Sequence, residues 1–261
     1  MPLSLTPLAG IPLIRQGDSL ADIILRALKE SNIQLEDNDI LVLAQKIVSK
    51  ADGRAVNLNS VIPSQHANDL AKQIDKDPRL VELILQESNE VLRTRPGVII
   101  VEHKLGFVCA NAGIDHSNVD TPLHAGEGLG MREEHVLLLP ENPDKSASNL
   151  QKLIEEESGK RIGVLIIDSH GRPWRNGTVG IAIGISGLPG LEDLRGKPDL
   201  FGYKLQVTQV GVSDELAAAA SLVMGQAAEG TPVVHARGFP YKLREGSLQE
   251  LIRPKEQDLF R

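Results

Sequence analysis

An α+β fold, with mixed sheets and packed helices in one large domain or two intimately associated subdomains, is what this 261-residue sequence predicts. Three observations lead there. Short apolar runs bounded by turn residues, such as Ile40-Leu-Val-Leu43 and Val98-Ile-Ile-Val101, have the length and branched-residue content of buried strands. Other segments place apolar residues at helical spacing behind good capping residues. The two kinds follow one another without regular alternation, which fits α+β better than a doubly wound parallel sheet.

Asp18-Ser19 caps a first helix, in which Leu20, Ile23, Ile24, Ala27 and Leu28 share one face. Asn38-Asp39 turns the chain into the strand at 40–43, which leads through residues 44–50 to an Asp52-Gly53 turn. Residues 64–92 read as two helices interrupted at Asp77-Pro78, because proline disfavours helix in the residue before it. Pro96-Gly97 ends that pattern, and strands are expected at 98–101 and 106–110. Residues 119–134 hold three glycines and no periodicity, so they read as a mobile loop. Val136-Leu-Leu-Leu139 is a further strand, closed by Pro140. Ala147, Leu150, Leu153 and Ile154 mark an amphipathic helix that stops near Gly159, and an apolar strand at 162–167 follows. The glycine-rich run 180–187 calls for close backbone packing. A strand over 205–212, an alanine-rich helix over 214–224 capped by Ser213, and a last strand at 233–236 complete the chain. No repeat or linker divides it.

The bulk composition removes several function classes. A net charge of −7 without a long basic block leaves nothing to displace counterions from a phosphate backbone, so no nucleic acid is expected as partner. The single Cys109 excludes an internal disulfide and a multi-cysteine metal site. No apolar stretch approaches the roughly 20 residues of a membrane helix, and the N-terminus lacks a secretory pattern, so no membrane partner and a cytoplasmic location are expected. A P-loop signature and a His-Glu-x-x-His motif are both missing.

What remains is two dense polar clusters. One is Asn111-Ala-Gly-Ile-Asp115-His-Ser-Asn118. The other is Leu165-Ile-Ile-Asp168-Ser169-His-Gly-Arg172-Pro-Trp174-Arg175, which follows the apolar run at 162–167. A carboxylate at a strand terminus is held rigidly yet faces solvent, which suits a hard cation or a phosphate-handling site. A single strand-end aspartate is more often a turn former. Here each has company: oxygen donors around Asp115, and Ser169, Arg172 and Arg175 around Asp168, an assortment that suits phosphate recognition. Lys46 and Lys50 stand after a strand and reach towards the same chemistry, although such lysines are mostly solvated. Gly126-Glu-Gly128-Leu-Gly130 resembles a phosphate loop only superficially and reads as a connector. Chemistry alone leads to a metal-dependent nucleotide site.

These segments in this order resemble the coenzyme F-420-0:L-glutamate ligase family, in its stand-alone form without a C-terminal nitroreductase-like domain. The resemblance runs from about residue 5 to residue 250. It is carried by Gly10-Ile-Pro-Leu-Ile14, Gln45-Lys-Ile-Val-Ser-Lys50-Ala-Asp-Gly53, both aspartate clusters, Leu138-Leu-Pro-Glu-Asn-Pro-Asp144-Lys-Ser-Ala, Asp214-Glu-Leu-Ala-Ala-Ala-Ala and Leu222-Val-Met-Gly225-Gln226. It implies a ligase that joins L-glutamate to the terminal carboxylate of F-420-0 with GTP, through an acyl phosphate, and then adds further glutamates by γ-linkage. It implies two divalent ions, Mg²⁺ or Mn²⁺, with K⁺ as a further candidate. By the same resemblance Asp115 and Asp168 are metal-binding and catalytic, Ser169 contributes an oxygen, and Gln226 occupies a ligand position that is Glu in some relatives. Ile11, Pro12, Leu13, Ile14, Lys50, Asn118 and the segment Met224, Gly225, Gln226, Ala227, Ala228, Glu229, Gly230 and Thr231 match positions around GTP, with Gln45 and Lys46 beside them. A homodimer is implied too. The glycines at 126–130 are expected to help cover the acyl phosphate. Two other classes use the same aspartates: a metal-dependent phosphohydrolase and a non-catalytic GTP-binding protein.

Overall fold

Three of the apolar runs named above lie side by side in one sheet. The computed structural model describes residues 2–116, 119 and 135–259. The expected loop over 119–134, its glycines at 126–130 and Asn118 lie outside the described residues, apart from Val119.

From the N-terminus, β1 (Ser4–Pro7) leads to α1 (Leu20–Glu30), β2 (Ile40–Ala44), α2 (Gln45–Ala51) and β3 (Ala55–Asn57). Then come α3 (Gln65–Ile74), α4 (Pro78–Gln86), β4 (Ser88–Arg95), β5 (Val98–His103), β6 (Val108–Ala110) and β7 (His135–Leu137). The remainder holds α5 (Pro143–Ser158), β8 (Gly163–Arg172), β9 (Arg175–Ser186), β10 (Glu192–Asp193), β11 (Gln209–Val210), α6 (Val212–Met224) and β12 (Val233–Arg237). The fold is α+β. No helix among the described residues is long and apolar enough to cross a membrane.

The chain divides into two units. The first comprises Met1–Leu13, Asp18–Val48 and Asn142–Pro254. It is built on a five-stranded sheet of order β1-β12-β2-β8-β9. Only β2 and β8 run parallel, from Ile40 opposite Gly163 to Ala44 opposite Ile167; the other neighbours are antiparallel. Period-two alternation divides the apolar residues between the two faces. Ile40, Val42, Leu165, Ile167, Ala182, Val234 and Ala236 pack against Leu216, Ala217, Ala220 and Met224 of α6. A register shift in β9, where Ile166 pairs with Gly184 but Ile167 with Ala182, turns Gly184 to the opposite face. There a Cβ at Gly184 would lie 2.7 Å from three atoms of Pro143, the first residue of α5. The expected close packing at 180–187 is therefore real, and it admits a helix against each face of β9.

The second unit comprises Ile14–Gly17, Ser49–Glu141 and Lys255–Arg261. It holds the antiparallel sheet β4-β5-β6, the pair β3-β7, and the helices α3 and α4. Ser64 and Asp77 cap those helices through side-chain bonds to Ala67 N and Arg79 N. Pro78 at the first turn of α4 explains the break between them.

Several expectations need correction. The second helix of the 64–92 region ends at Gln86, and Ser88–Arg95 is a strand because it pairs with β5 across the Pro96-Gly97 turn. Residues 205–212 do not form one strand; only Gln209 and Val210 pair, as half of a two-stranded arm. Helix α6 begins at Val212, and Ser213 is no cap: its hydroxyl donates to Pro189 O at 2.7 Å. Asp39 is not merely a turn residue but a buried anion, considered below.

Candidate functional site

In the first unit, the loops at one end of the large sheet carry most of the residues singled out by the sequence. Strands β2 and β8 are parallel, so their C-terminal ends share that end with the end of β1 and the start of β12. In open sheets such strand ends are where ligands gather. Two backbone bonds tie the loops together: Leu8 N to Val233 O at 2.8 Å and Ala44 N to Pro232 O at 2.9 Å. Gly10 to Leu13 follow β1, Gln45 and Lys46 follow β2, and Gly225 to Thr231 run from α6 into β12. Gln45 is buried at 1% exposure, whereas Leu13 stands out at 74%. Gly225 has φ +79°, and a Cβ there would collide with the Glu229 side chain, so this turn depends on glycine. Glu229 folds back to accept Ala227 N at 2.8 Å, and that bond holds its carboxyl below the usual range. Thr231 donates to Met224 O at 3.0 Å and closes the loop.

Asp168 is not at a strand terminus. It is the first residue of β8 beyond the parallel pairing, and β8 continues to Arg172 as a hairpin with β9. Its carboxylate is mostly buried, with 13% side-chain exposure. Oδ2 meets His170 Nε2 at 2.9 Å, and the imidazole is itself 8% exposed. Oδ1 accepts no hydrogen bond among the described residues. Ser169 projects to the other face, as alternation requires. Its cross-strand partner Gly180 lies so close to α6 that a Cβ would sit 2.5 Å from Ser221 Cβ and 2.7 Å from Ala217 O. On that face Ser169 Oγ donates to Gln226 Oε1 at 2.7 Å, and Gln226 Nε2 donates to Ser221 Oγ at 2.8 Å. The structure thus brings Ser169 and Gln226 together and holds Asp168 on the opposite face of the same strand.

Arg172 and Arg175 are not beside Asp168. They form the last pair of the β8–β9 hairpin, about 13 Å along the strand at 3.3 Å per residue. Asp214, in the first turn of α6, accepts Ala182 N at 2.9 Å. Burial pushes its carboxyl up, against the pull of that bond and of the His170 charge.

Asp115 belongs to the second unit. It follows a turn in which Asn111, Ala112 and Gly113 have φ of 52°, 54° and 65°. Two of these are not glycine, which marks stored backbone strain next to the cluster. The turn is held by Asn111 Oδ1 accepting Ile99 N at 3.2 Å, and Gly113 has no room for a Cβ beside Leu139. Asp115 then exchanges both backbone bonds with Leu137, at 3.0 and 2.9 Å. Burial pushes the His116 imidazole pKa down, and the Lys76 charge adds to this against Asp77. Ile14 and Lys50 also belong to this unit, and Asn118 lies outside the described residues.

Ser221, Lys76 and Asp77 carry local geometry that sequence reading does not assign, whereas His170 already lies inside the second cluster. Its place two residues after Asp168 puts both on one strand face. Among the described residues, no three His, Cys, Asp or Glu side chains converge as a metal site.

The family model described as F420-0:Gamma-glutamyl ligase matches residues 10–238. The Coenzyme F420:L-glutamate ligase of Methanothermobacter thermautotrophicus is 47% identical over 263 residues, covering 100% of both chains. The proteins of the same name from Methanocaldococcus jannaschii and Archaeoglobus fulgidus are also similar. The first is 43% identical over 96% of this chain and 94% of its own. The second is 42% identical over 100% of this chain and 97% of its own. Similarity at this level, running through both units, means that this chain belongs to the F420-0:gamma-glutamyl ligase family.

Proposed function

We propose that this chain joins L-glutamate to the terminal carboxylate of coenzyme F-420-0, with GTP as the activating co-substrate, and extends the product by γ-linkage. The observation that carries the reading is the contact of Ser169 with Gln226 beside the 225–231 loop, at the end of the sheet where β8 carries Asp168 on its other face, in a chain of this family. A carboxylate resists attack by an amine because oxide is a very poor leaving group. If a carboxylate oxygen takes the γ-phosphoryl group of GTP, GDP leaves and an acyl phosphate forms. The glutamate amine then attacks the acyl carbon, the C–O bond breaks, and phosphate departs as an amide forms.

The donor atoms fit hard divalent ions. They are all oxygens: Asp168 Oδ1 on one face of β8, and Ser169 Oγ with Gln226 Oε1 on the other. So few protein ligands suit Mg²⁺ or Mn²⁺ in particular, since these ions take the rest of their shell from water and phosphate oxygens. When bound, such ions neutralise triphosphate charge and align an in-line displacement. K⁺ remains a candidate for the same oxygen-rich surroundings. The chain's own part is to hold the nucleotide with the loops at 10–13, 45–46 and 225–231, and to exclude water from the reactive anhydride.

The test is mass spectrometry of the acceptor after incubation with GTP, Mg²⁺ or Mn²⁺, and glutamate, each omitted in turn. The reading expects an acceptor heavier by one glutamyl residue, or several, only in the complete mixture. GTP hydrolysis that ignores glutamate would point to a phosphohydrolase, and GTP binding with no turnover to a sensor.

We also read the chain as a homodimer. Residues 192–210 form a two-stranded arm held by its own ladder, with Asp199 Oδ1 accepting Phe201 N and Tyr203 N at its tip. Leu200 and Phe201 there are 98% and 95% exposed, and Tyr203 and Val207 are exposed as well. A lone hairpin is marginal in water, so an apolar tip of this kind calls for a partner. Two such tips and the surfaces covering them amount to on the order of 2,000 Å², enough for a stable dimer.

A further inference from the structure

Asp168 and His170 stand two residues apart on one face of β8, and the strand that carries them is pinned by β9. Asp168 pairs with Ile181 and His170 with Val179. The imidazole is buried, which limits the rotamers open to it. Nε2 reaches Asp168 Oδ2 at 2.9 Å, the length of a full hydrogen bond. The other carboxylate oxygen, Oδ1, accepts nothing among the described residues. A short carboxylate on a strand has several rotamers and a nearly free second torsion. A fixed donor on one oxygen removes that freedom and leaves the second oxygen in one place.

We propose that His170 is a positioning residue: by holding Asp168 Oδ2 it presents Oδ1 as a single, oriented oxygen for a divalent cation. The proposal rests on the metal-binding reading of Asp168 given above and adds to it the group that fixes the ligand. It also explains why a histidine belongs at this place in the strand. An apolar residue at 170 would fill the same buried volume without directing the carboxylate. Carboxylates that bind metals are commonly held in this way, and removing such a partner weakens metal binding by about 10–100-fold. On the opposite face, Ser221 does the equivalent for Gln226: by accepting Nε2 it aims Oε1 at Ser169.

The experiment is a titration of the whole protein with Mn²⁺, following the signal of the free hexaaquo ion by electron paramagnetic resonance. It is run with and without a non-hydrolysable GTP analogue. Parent, Asp168→Asn, His170→Leu and His170→Gln are compared, and thermal unfolding of each reports whether it folds. Glutamine carries an N–H near the place of Nε2, so it tests the hydrogen bond apart from the ring. The expected result is a 10–100-fold loss of Mn²⁺ affinity in His170→Leu, recovered to within about threefold in His170→Gln. If Asp168→Asn loses Mn²⁺ while folded His170→Leu binds it like the parent, the positioning role is wrong and the metal reading stands. A His170→Gln protein that folds but binds as weakly as the leucine variant also overturns it. If Asp168→Asn itself binds Mn²⁺ like the parent, the metal reading of Asp168 fails.

Discussion

Replacing Asp39 with asparagine changes no volume but removes a buried negative charge that four donors converge on. Glu36 N, His235 Nε2 and Arg237 Nη2 meet Oδ2 at 2.8, 2.8 and 2.7 Å, and Arg237 Nε meets Oδ1 at 2.8 Å. The carboxylate has 1% exposure and stands at the foot of β2, where it clamps the 34–39 turn to β12. Burial pushes the carboxyl up, but the bonds from Arg237, His235 and Glu36 outweigh it, and the net effect is to hold it below its ordinary 3.8. An asparagine keeps one acceptor oxygen and turns an NH₂ onto donors. Breaking one side of a buried ion pair typically costs about 3–5 kcal/mol. The lower end applies, because Arg237 is 26% exposed and retains Glu36 and Gln34 O. For a chain of this size, a loss of about 3 kcal/mol lowers Tm by roughly 6–12 °C. The folded carboxyl titrates below the unfolded one, so its contribution is complete above the unfolded pKa and vanishes as pH falls through the folded value. Urea unfolding followed by circular dichroism at pH 7 and in the acid range measures both effects. A variant within about 0.5 kcal/mol of the parent at pH 7, or a difference that persists undiminished in acid, would refute the reasoning.

Three further outcomes follow from the same geometry. Gly184→Ala places a Cβ against the backbone of Pro143, so α5 must shift; about 1–3 kcal/mol is lost in chemical unfolding, whereas Gly171→Ala, with open space around it, leaves packing unaffected. Asp168→Asn abolishes ligation while thermal unfolding and circular dichroism stay near those of the parent; near-normal turnover with Mg²⁺ or Mn²⁺ would reject the assignment. Phe201→Ser in the arm raises the dimer dissociation constant at least tenfold by analytical ultracentrifugation, without lowering the helical signal.

The parts of the fold that were legible are those whose burial writes a pattern. Strand β2 and residues 163–167 of β8 sit inside the sheet with both faces covered, so they read as continuous apolar runs. Helices α1, α3 and α4 announce themselves through Ser19, Ser64 and Asp77. Strand β4 was illegible because Ser88–Arg95 is largely exposed and exists through its pairing with β5, which local composition does not encode. The polar end of β8 misled in the same way: Asp168 reads as a strand end, yet hairpin pairing with β9 carries the strand four residues further. Asp39 reads as a turn former because its partners His235 and Arg237 are nearly 200 positions away. Within the candidate site, residue types were legible and faces were not. That Ser169 joins Gln226 while Asp168 joins His170 depends on register, which a one-residue slip would invert.

In the proposed reaction, a carboxylate of the acceptor is activated by phosphoryl transfer from GTP before the amine attacks. The most direct measurement uses acceptor labelled with ¹⁸O in both oxygens of its terminal carboxylate, with mass analysis of the inorganic phosphate formed during ligation. Phosphoryl transfer to the carboxylate puts one ¹⁸O atom in the phosphate for each amide formed, with the other retained in the amide carbonyl. Phosphate free of label, formed in step with glutamate addition, would contradict it.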